Sequence, residues 1–348
     1  MKNGYFSRLY RGGAQRRLLF ESEGKSLAIV REITTVASVA MPIAEAWRVR
    51  RCRYAPQGES AGRLCIATGI HGDEMMGQLI VFGVAKRIMA QPEKLQGIVD
   101  IYPMLNPLGL DCGSRMVPST AQLDMNRAFP GREDGTALES VCWRVLHDMV
   151  GADLVLDIHA STHNKSELYE VRMNADGVSG LLEQARALCP ELIWVYPEKN
   201  TYNGSLTSTL GQKGVPALII EADERHRCPQ EIAERVVEGI MCKMREMGIW
   251  AGDCALTAPK MEDIPCIRTS ADICRVTCER PGVYVPLDCI GKDVAKGELL
   301  GTVIDALEGE VREEVRAPAS GLVFSQRSYS AVYPGTLIAR VLKREVKA

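Results

Sequence analysis

His71 and Glu74 stand three residues apart in the stretch Thr68-Gly-Ile-His-Gly-Asp-Glu74. An imidazole and a carboxylate at that spacing can share one zinc ion. A catalytic zinc takes three protein ligands and keeps a fourth position open, and His-Glu-His is a common set. The third ligand is sought downstream, and His159 supplies it at the end of Leu154-Val-Leu-Asp-Ile-His-Ala-Ser161. The chain has five histidines. A single one is usually a structural residue, but two at strand-to-loop junctions, one with a glutamate at ligand spacing, point to a metal site.

The elements that must position these residues are legible around them. Leu64, Cys65, Ile66 and Ala67 form the continuous apolar run of a central strand over Arg63 to Thr68. Met76, Leu79, Ile80 and Val84 then recur at helical spacing, so a helix follows to about Ala90. Gly69 and Gly72 let the backbone turn sharply between the two. In open α/β sheets ligands bind outside the carboxyl ends of the strands, so strands ending at His71/Glu74 and at His159 fit one site.

The rest of the order follows the same alternation. Outer strands are expected at Leu27 to Ile33 and Ala46 to Val49, and a further strand at Ile98 to Tyr102. A helix from Thr136 to Val150 carries the stripe Leu138, Val141, Cys142, Val145, Leu146 and Met149, with His147 off the stripe and facing solvent. A helix around Leu181 to Leu188, a strand at Leu192 to Tyr196 and an apolar strand at Ala217 to Ile220 come next, the last ending on Glu221. Pro229 opens a long amphipathic helix that stops at Gly248. Strands alternating with helices argue for an α/β domain. The expected division is an arm over 1–24, a catalytic α/β domain over 25–255 and a β-rich domain over 256–348.

Between Asn106 and Gly131 runs a connection too long for a plain linker. It carries Arg115, Asn126 and Arg127 and leaves the same sheet edge as the metal loop. An arginine aimed at a site is a forked, permanently charged clamp for a carboxylate or a developing oxyanion.

In order, Gly-Ile-His71-Gly-Asp-Glu74, Asn106-Pro, Arg115, Asp124-Met-Asn126-Arg127, Asp157-Ile-His159 and Ile220-Glu221 resemble the succinylglutamate desuccinylase/aspartoacylase family. That family belongs to the zinc carboxypeptidase superfamily, and the likeness spans roughly residues 25 to 250. The resemblance implies a mixed sheet flanked by helices, with one zinc per chain on His71, Glu74 and His159. It further implies that Arg115 polarises the scissile carbonyl, that Asn126 and Arg127 clamp a substrate carboxylate, and that Glu221 is the general base.

Such residues would make an amide hydrolase. Zinc lowers the pKa of bound water to about 7 and polarises a carbonyl. A carboxylate beside that water takes its proton and hands it to the departing amine. Burial at the end of an apolar strand would raise the pKa of Glu221 and suit it to this task. Asp223 and Glu224 are near enough to compete for the role, and the family position favours Glu221. Arg115 would offset charge on the carbonyl oxygen, an effect commonly worth about 3 kcal/mol. His163 reads as a loop residue at the rim. Tyr169, Glu170, Arg172 and Tyr202 are candidates to line the pocket.

After about Asp263 helical periodicity gives way to short strands with glycine and proline turns. Val294-Ala-Lys-Gly-Glu-Leu-Leu-Gly-Thr-Val303 is echoed by Val332-Tyr-Pro-Gly-Thr-Leu-Ile-Ala-Arg-Val341, two matching hairpin halves. With Arg316-Ala-Pro-Ala-Ser-Gly-Leu-Val323 between them, they resemble the biotinyl/lipoyl barrel-sandwich fold. Those carriers present a modified lysine on the hairpin between the halves. No lysine lies from Glu298 to Leu342, which argues against a carrier. A cap on the catalytic mouth or an oligomerisation surface is the expectation.

Composition narrows the class. A net charge of -2 gives no sign of a nucleic-acid or membrane-surface partner. The basic start lacks the long apolar core of a signal peptide, and no stretch reaches the length of a membrane span. Twelve cysteines without paired spacing suggest reduced thiols in a cytoplasmic protein. The sequence therefore reads as a zinc amidohydrolase for a small N-acyl amino acid with a free carboxylate, and a homo-oligomer is compatible with it. A zinc carboxypeptidase for a short or peptidoglycan-type peptide would use the same residues. An inactive metal-binding regulator would bind zinc without turnover.

Overall fold

The computed structural model describes residues 16–18, 21–22, 25–26, 29–42, 45–118, 123–161, 164–175, 179–196, 203–224 and 229–344. Most of the expected arm, His163 and Tyr202 lie outside them. Within the stretch expected to be irregular, Arg16–Leu18 forms a strand antiparallel to Ile29–Ala40.

A 10-stranded mixed sheet carries the site. From one edge its order is Arg16–Leu18, Ile29–Ala40, Ala46–Pro56, Ile98–Tyr102, Arg63–Thr68, Leu154–Ser161, Ala217–Glu224, Glu170–Asn174, Leu192–Tyr196 and Cys266–Ile267. The four strands from Ile98–Tyr102 to Ala217–Glu224 are parallel to one another. Their apolar runs are two-sided because both faces are covered. Leu64 and Ile66 pack toward the helices Met76–Ala90 and Gln230–Glu246, while Cys65 and Ala67 pack toward Ala137–Met149 and Leu206–Gln212.

The outer strands run further than apolar pattern alone suggested. Ala46–Pro56 includes Arg51 and Arg53, which break the hydrophobic run yet lie in the sheet. Asp100, fully buried on the neighbouring strand, accepts from Arg53 at 2.7 Å and from Arg63 at 2.8 Å. Arg51 is held by Asp148 at 2.8 Å. Paired burial of this kind is what lets charged residues sit inside a sheet.

Thr136 caps the helix Ala137–Met149 through a reciprocal box with Glu139. Gln230–Glu246 follows Pro229, and its chain direction changes at Gly248 with φ +72°. His147 is exposed, stacked on Trp143. The connection after Asn106 holds a short helix, Pro107–Cys112, which the sequence reading did not foresee. Asn106 caps it by accepting from the Gly109 N–H at 2.9 Å. Among the described residues the cysteines are free thiols; Cys65, Cys142 and Cys242 are buried and Cys112 is exposed.

The C-terminal region is β-rich. One sheet contains Ile273–Thr277, Leu337–Lys343, Gly321–Arg327 and Asp293–Val294; the other contains Glu310–Arg316, Leu299–Asp305, Gly282–Pro286 and Ala331–Val332. Val276, Tyr284, Leu300, Val303, Val323, Ile338 and Val341 form their shared core. The internal repeat is visible as two short-strand, turn, long-strand units, whose turn glycines Gly297 and Gly335 have φ +87° and +82°. A left-handed backbone there favours glycine. This region is joined to the larger one by main-chain pairing, because Lys165–Glu167, just beyond His159, runs antiparallel to Gly321–Arg327. Leu168, Leu192, Ile267, Leu322, Phe324 and Leu342 seal the junction.

Candidate active site

His71 and Glu74 lie in the loop between Arg63–Thr68 and Met76–Ala90, and His159 lies near the carboxyl end of Leu154–Ser161. The turn is tight. Gly69 has φ +69°, and a Cβ on Gly72 would overlap the backbone of Gly109. The three side chains are buried, with ligand atoms all within 4.8 Å of one another. Nδ1 of His71 is 2.7 Å from Glu74 Oε1, and Nδ1 of His159 is 3.0 Å from Glu74 Oε2. The two Nδ1 atoms face each other at 3.2 Å.

A carboxylate lies behind each imidazole. Nε2 of His71 is 3.2 Å from Asp124 Oδ1, and Nε2 of His159 is 3.1 Å from Asp157 Oδ2. Carboxylates placed behind histidines orient them and increase their basicity as ligands. Burial opposes protonation of His159, but the charges of Asp157 and Glu74 outweigh it and hold the imidazole well above its usual range. For Glu74, burial opposes ionisation, yet His71 and His159 hold its carboxyl well below the usual carboxylate range. A site that draws protons onto nitrogen while keeping its carboxylate ionised favours positive charge at its centre. The donor set fits a divalent metal ion.

Arg115 reaches this centre from the long connection. Its Nη1 is 3.1 Å from His71 Nδ1 and 3.3 Å from Glu74 Oε1, while Nη2 donates to Asp124 Oδ2 at 3.0 Å. Asn126 accepts from the Leu206 N–H at 3.0 Å through Oδ1, which leaves its amide nitrogen as the donor end. The Arg127 guanidinium donates to the Asn126 carbonyl at 2.6 Å.

Sheet register brings the remaining carboxylates alongside. Glu221 is opposite His159 on one side and opposite Glu170 on the other. Burial raises the pKa of Glu221, and the charges of Glu74 and Glu167 add to it against the pull of Arg172 and His159. Asp223 does not line the cavity.

A cavity of about 320 Å³ contains His71, Glu74, His159, Arg115, Asn126, Arg127 and Glu221 in its wall. Every residue to which the resemblance gave a role thus lines one space. Of the pocket candidates, Arg172 lines it, whereas Tyr169 and Glu170 do not. Tyr169 is buried instead, with its hydroxyl donating to the Leu188 carbonyl at 2.8 Å. Sequence reasoning gave no role to Asp124, Asp157, Lys165 or Arg340. Period-two spacing puts Asp157 on the same strand face as His159, a signal that could have found it. Nothing local marks Arg340, which arrives from the C-terminal region.

The model of the succinylglutamate desuccinylase/aspartoacylase catalytic domain matches residues 60–246, more than half of the chain. The chain belongs to that family. No curated protein sequence matches it. Among solved structures, the succinylglutamate desuccinylase/aspartoacylase from Rhodobacter sphaeroides superposes with TM-score 0.70 at 20% identity, covering 92% of this chain and 95% of that one. The product-bound ectoine utilization protein EutE from Ruegeria pomeroyi gives TM-score 0.73 at 19% identity, over 95% and 99%. An aspartoacylase family protein from Mesorhizobium loti gives 0.68 at 19%, over 97% and 100%. These likenesses extend the family's fold through the C-terminal β-rich region. Family members of this type are hydrolases, and the His71, Glu74 and His159 cluster is suited to the metal such chemistry uses.

Proposed function

We propose that this chain is a zinc-dependent deacylase that hydrolyses the amide bond of an N-acyl amino acid with a free carboxylate. The carrying observation is the convergence of His71, Glu74 and His159 with Arg115 and Glu221 on one cavity. Ligands of a tetrahedral zinc, with bonds of about 2.0–2.1 Å, stand roughly 3.3 Å apart. The spacings of 2.7, 3.0 and 3.2 Å between the three side chains are close to that.

When bound, zinc would supply an activated water and an electrophile for the carbonyl. The chain's own residues do the rest. Asn126 and Arg127 hold the substrate carboxylate and so fix the amide over the triad. Arg115 donates to the carbonyl oxygen as negative charge builds there. Glu221 accepts a proton from water and returns it to the departing amine nitrogen. Its raised pKa favours the return step.

The discriminating experiment is amine release by zinc-loaded protein from N-acetyl and N-succinyl amino acids, beside dipeptides of the same residues. Release from the N-acyl amino acids, abolished by chelation, supports the deacylase. Turnover confined to dipeptides makes it a carboxypeptidase, and zinc binding with no turnover of either makes it a binding protein.

A further inference from the structure

Three of the free thiols meet away from the catalytic cavity, and the proposed hydrolysis uses none of them. Cys242 lies near the carboxyl end of the helix Gln230–Glu246. Cys254 lies on the segment that leaves this helix for the C-terminal region, and Cys189 lies just beyond the helix Leu181–Arg186.

The Leu256 carbonyl draws two of these thiols together. It accepts from Cys242 Sγ at 3.0 Å and from Cys254 Sγ at 3.3 Å. Two sulfurs bound to one oxygen atom are held side by side. The Cys242 thiol is also within hydrogen-bonding reach of Cys254 and of Cys189. Such proximity matters because cysteines set far apart cannot be bridged without moving the backbone.

The paired thiols are not equivalent. Cys242 is buried, and burial together with Cys254 and Cys189 pushes its thiol up to about 12. Cys254 is half-buried, and Arg245 Nη1 lies 3.8 Å from its sulfur. A cation beside a sulfur favours the thiolate, which is the form that oxidants meet.

We propose that Cys254 and Cys242 are a redox modification site, closing into a reversible disulfide on exposure to a hydroperoxide. The Cys254 thiolate attacks one peroxide oxygen, and the O–O bond breaks. The departing oxygen takes up a proton and leaves as alcohol or water, and Cys254 becomes a sulfenic acid. The Cys242 sulfur then attacks the Cys254 sulfur, and its proton departs with the hydroxyl group as water. Two thiols are thereby oxidised and one peroxide is reduced. The new bond ties the end of Gln230–Glu246 to the segment that runs on into the C-terminal region. Leu256 and Cys189 line a separate cavity of about 430 Å³ beside it.

Peptide mapping of the reduced full-length chain after treatment with hydrogen peroxide tests the site. Remaining thiols are alkylated under denaturing conditions before digestion. The expected product links the Cys242 and Cys254 peptides, lacks the mass of two hydrogen atoms, and reverts with dithiothreitol. In Cys242→Ser the link should be absent, and dimedone should trap a sulfenic acid on Cys254. Serine keeps a donor for the Leu256 carbonyl, and the map of the parent chain decides the matter even if the variant is unstable. The exposed Cys112 sets the dose. Alkylation of both Cys242 and Cys254 at a dose that oxidises Cys112 overturns the site, as does a link from either of them to Cys189 instead.

Discussion

Arg172 ties the candidate general base to the C-terminal wall of the cavity: its Nη1 donates to Glu221 Oε1 at 3.0 Å and its Nη2 to Glu167 Oε2 at 2.7 Å. Glu167 in turn binds Arg340. A single guanidinium thus fixes the direction of the Glu221 carboxylate and links it through Glu167 to Arg340. Lysine cannot reproduce a forked contact of this kind. With a substrate bearing one carboxylate, Arg172→Lys should lower kcat roughly 10–100-fold, because small misplacements of a reacting group cost about that much. Steady-state kinetics checks it, and an unchanged kcat would remove Arg172 from the positioning of Glu221.

Asp157 is fully buried, with Oδ2 at 3.1 Å from His159 Nε2. Loss of its charge should release the imidazole from its orientation. Asp157→Asn is expected to weaken zinc about 10–100-fold, the usual cost of removing a carboxylate behind a ligand histidine. Competition with a chelating dye measures this, and unaltered affinity would count against the role.

A pH effect on stability follows from Glu170. Burial raises its folded-state pKa from 4.5 to about 8. The folded chain holds its proton where the unfolded chain has lost it. Its contribution is therefore complete below about 4.5 and is lost as pH rises through about 8. Glu170→Gln keeps an acceptor for Arg172 and cannot ionise. Its thermal midpoint relative to the parent protein should climb between pH 5 and pH 8, and a constant difference across that range would contradict the shift.

Gly72 separates His71 from Asp73 where the loop presses on the backbone of Gly109. Gly72→Ala must push the loop carrying His71 and Glu74 off the Pro107–Cys112 helix. A loss of about 1–3 kcal/mol is expected, as for overpacking elsewhere, together with weaker zinc binding. Urea unfolding and the dye competition read the two effects separately.

The convergence of the candidate residues was legible because the segments that carry them are local. His71, Glu74 and Gly72 sit in one loop, His159 ends an apolar strand, and the strands Arg63–Thr68, Ile98–Tyr102 and Leu154–Ser161 have the bounds their apolar runs suggested. Features that depend on distant pairing were not legible. Ala46–Pro56 continues through Arg51 and Arg53 because Asp100 and Asp148 meet them across the sheet. The short helix after Asn106 has too few turns to show a periodicity. Arg340 is a charged residue on a distant strand, and its place in the cavity depends on the pairing of Lys165–Glu167 with Gly321–Arg327. Tyr169 looked like a pocket residue by position in the sequence, but it precedes the strand Glu170–Asn174 and its side chain is buried in the core.

The most direct measurement is a zinc titration of chelated protein in which bound metal and amine release from an N-acyl amino acid are followed together. Activity should rise in proportion to bound zinc, level off at one equivalent per chain, and be lost in Glu221→Gln although that variant still binds the metal. Release that survives chelation, or zinc saturation at His71, Glu74 and His159 with no release from any N-acyl amino acid, would contradict the proposed deacylase.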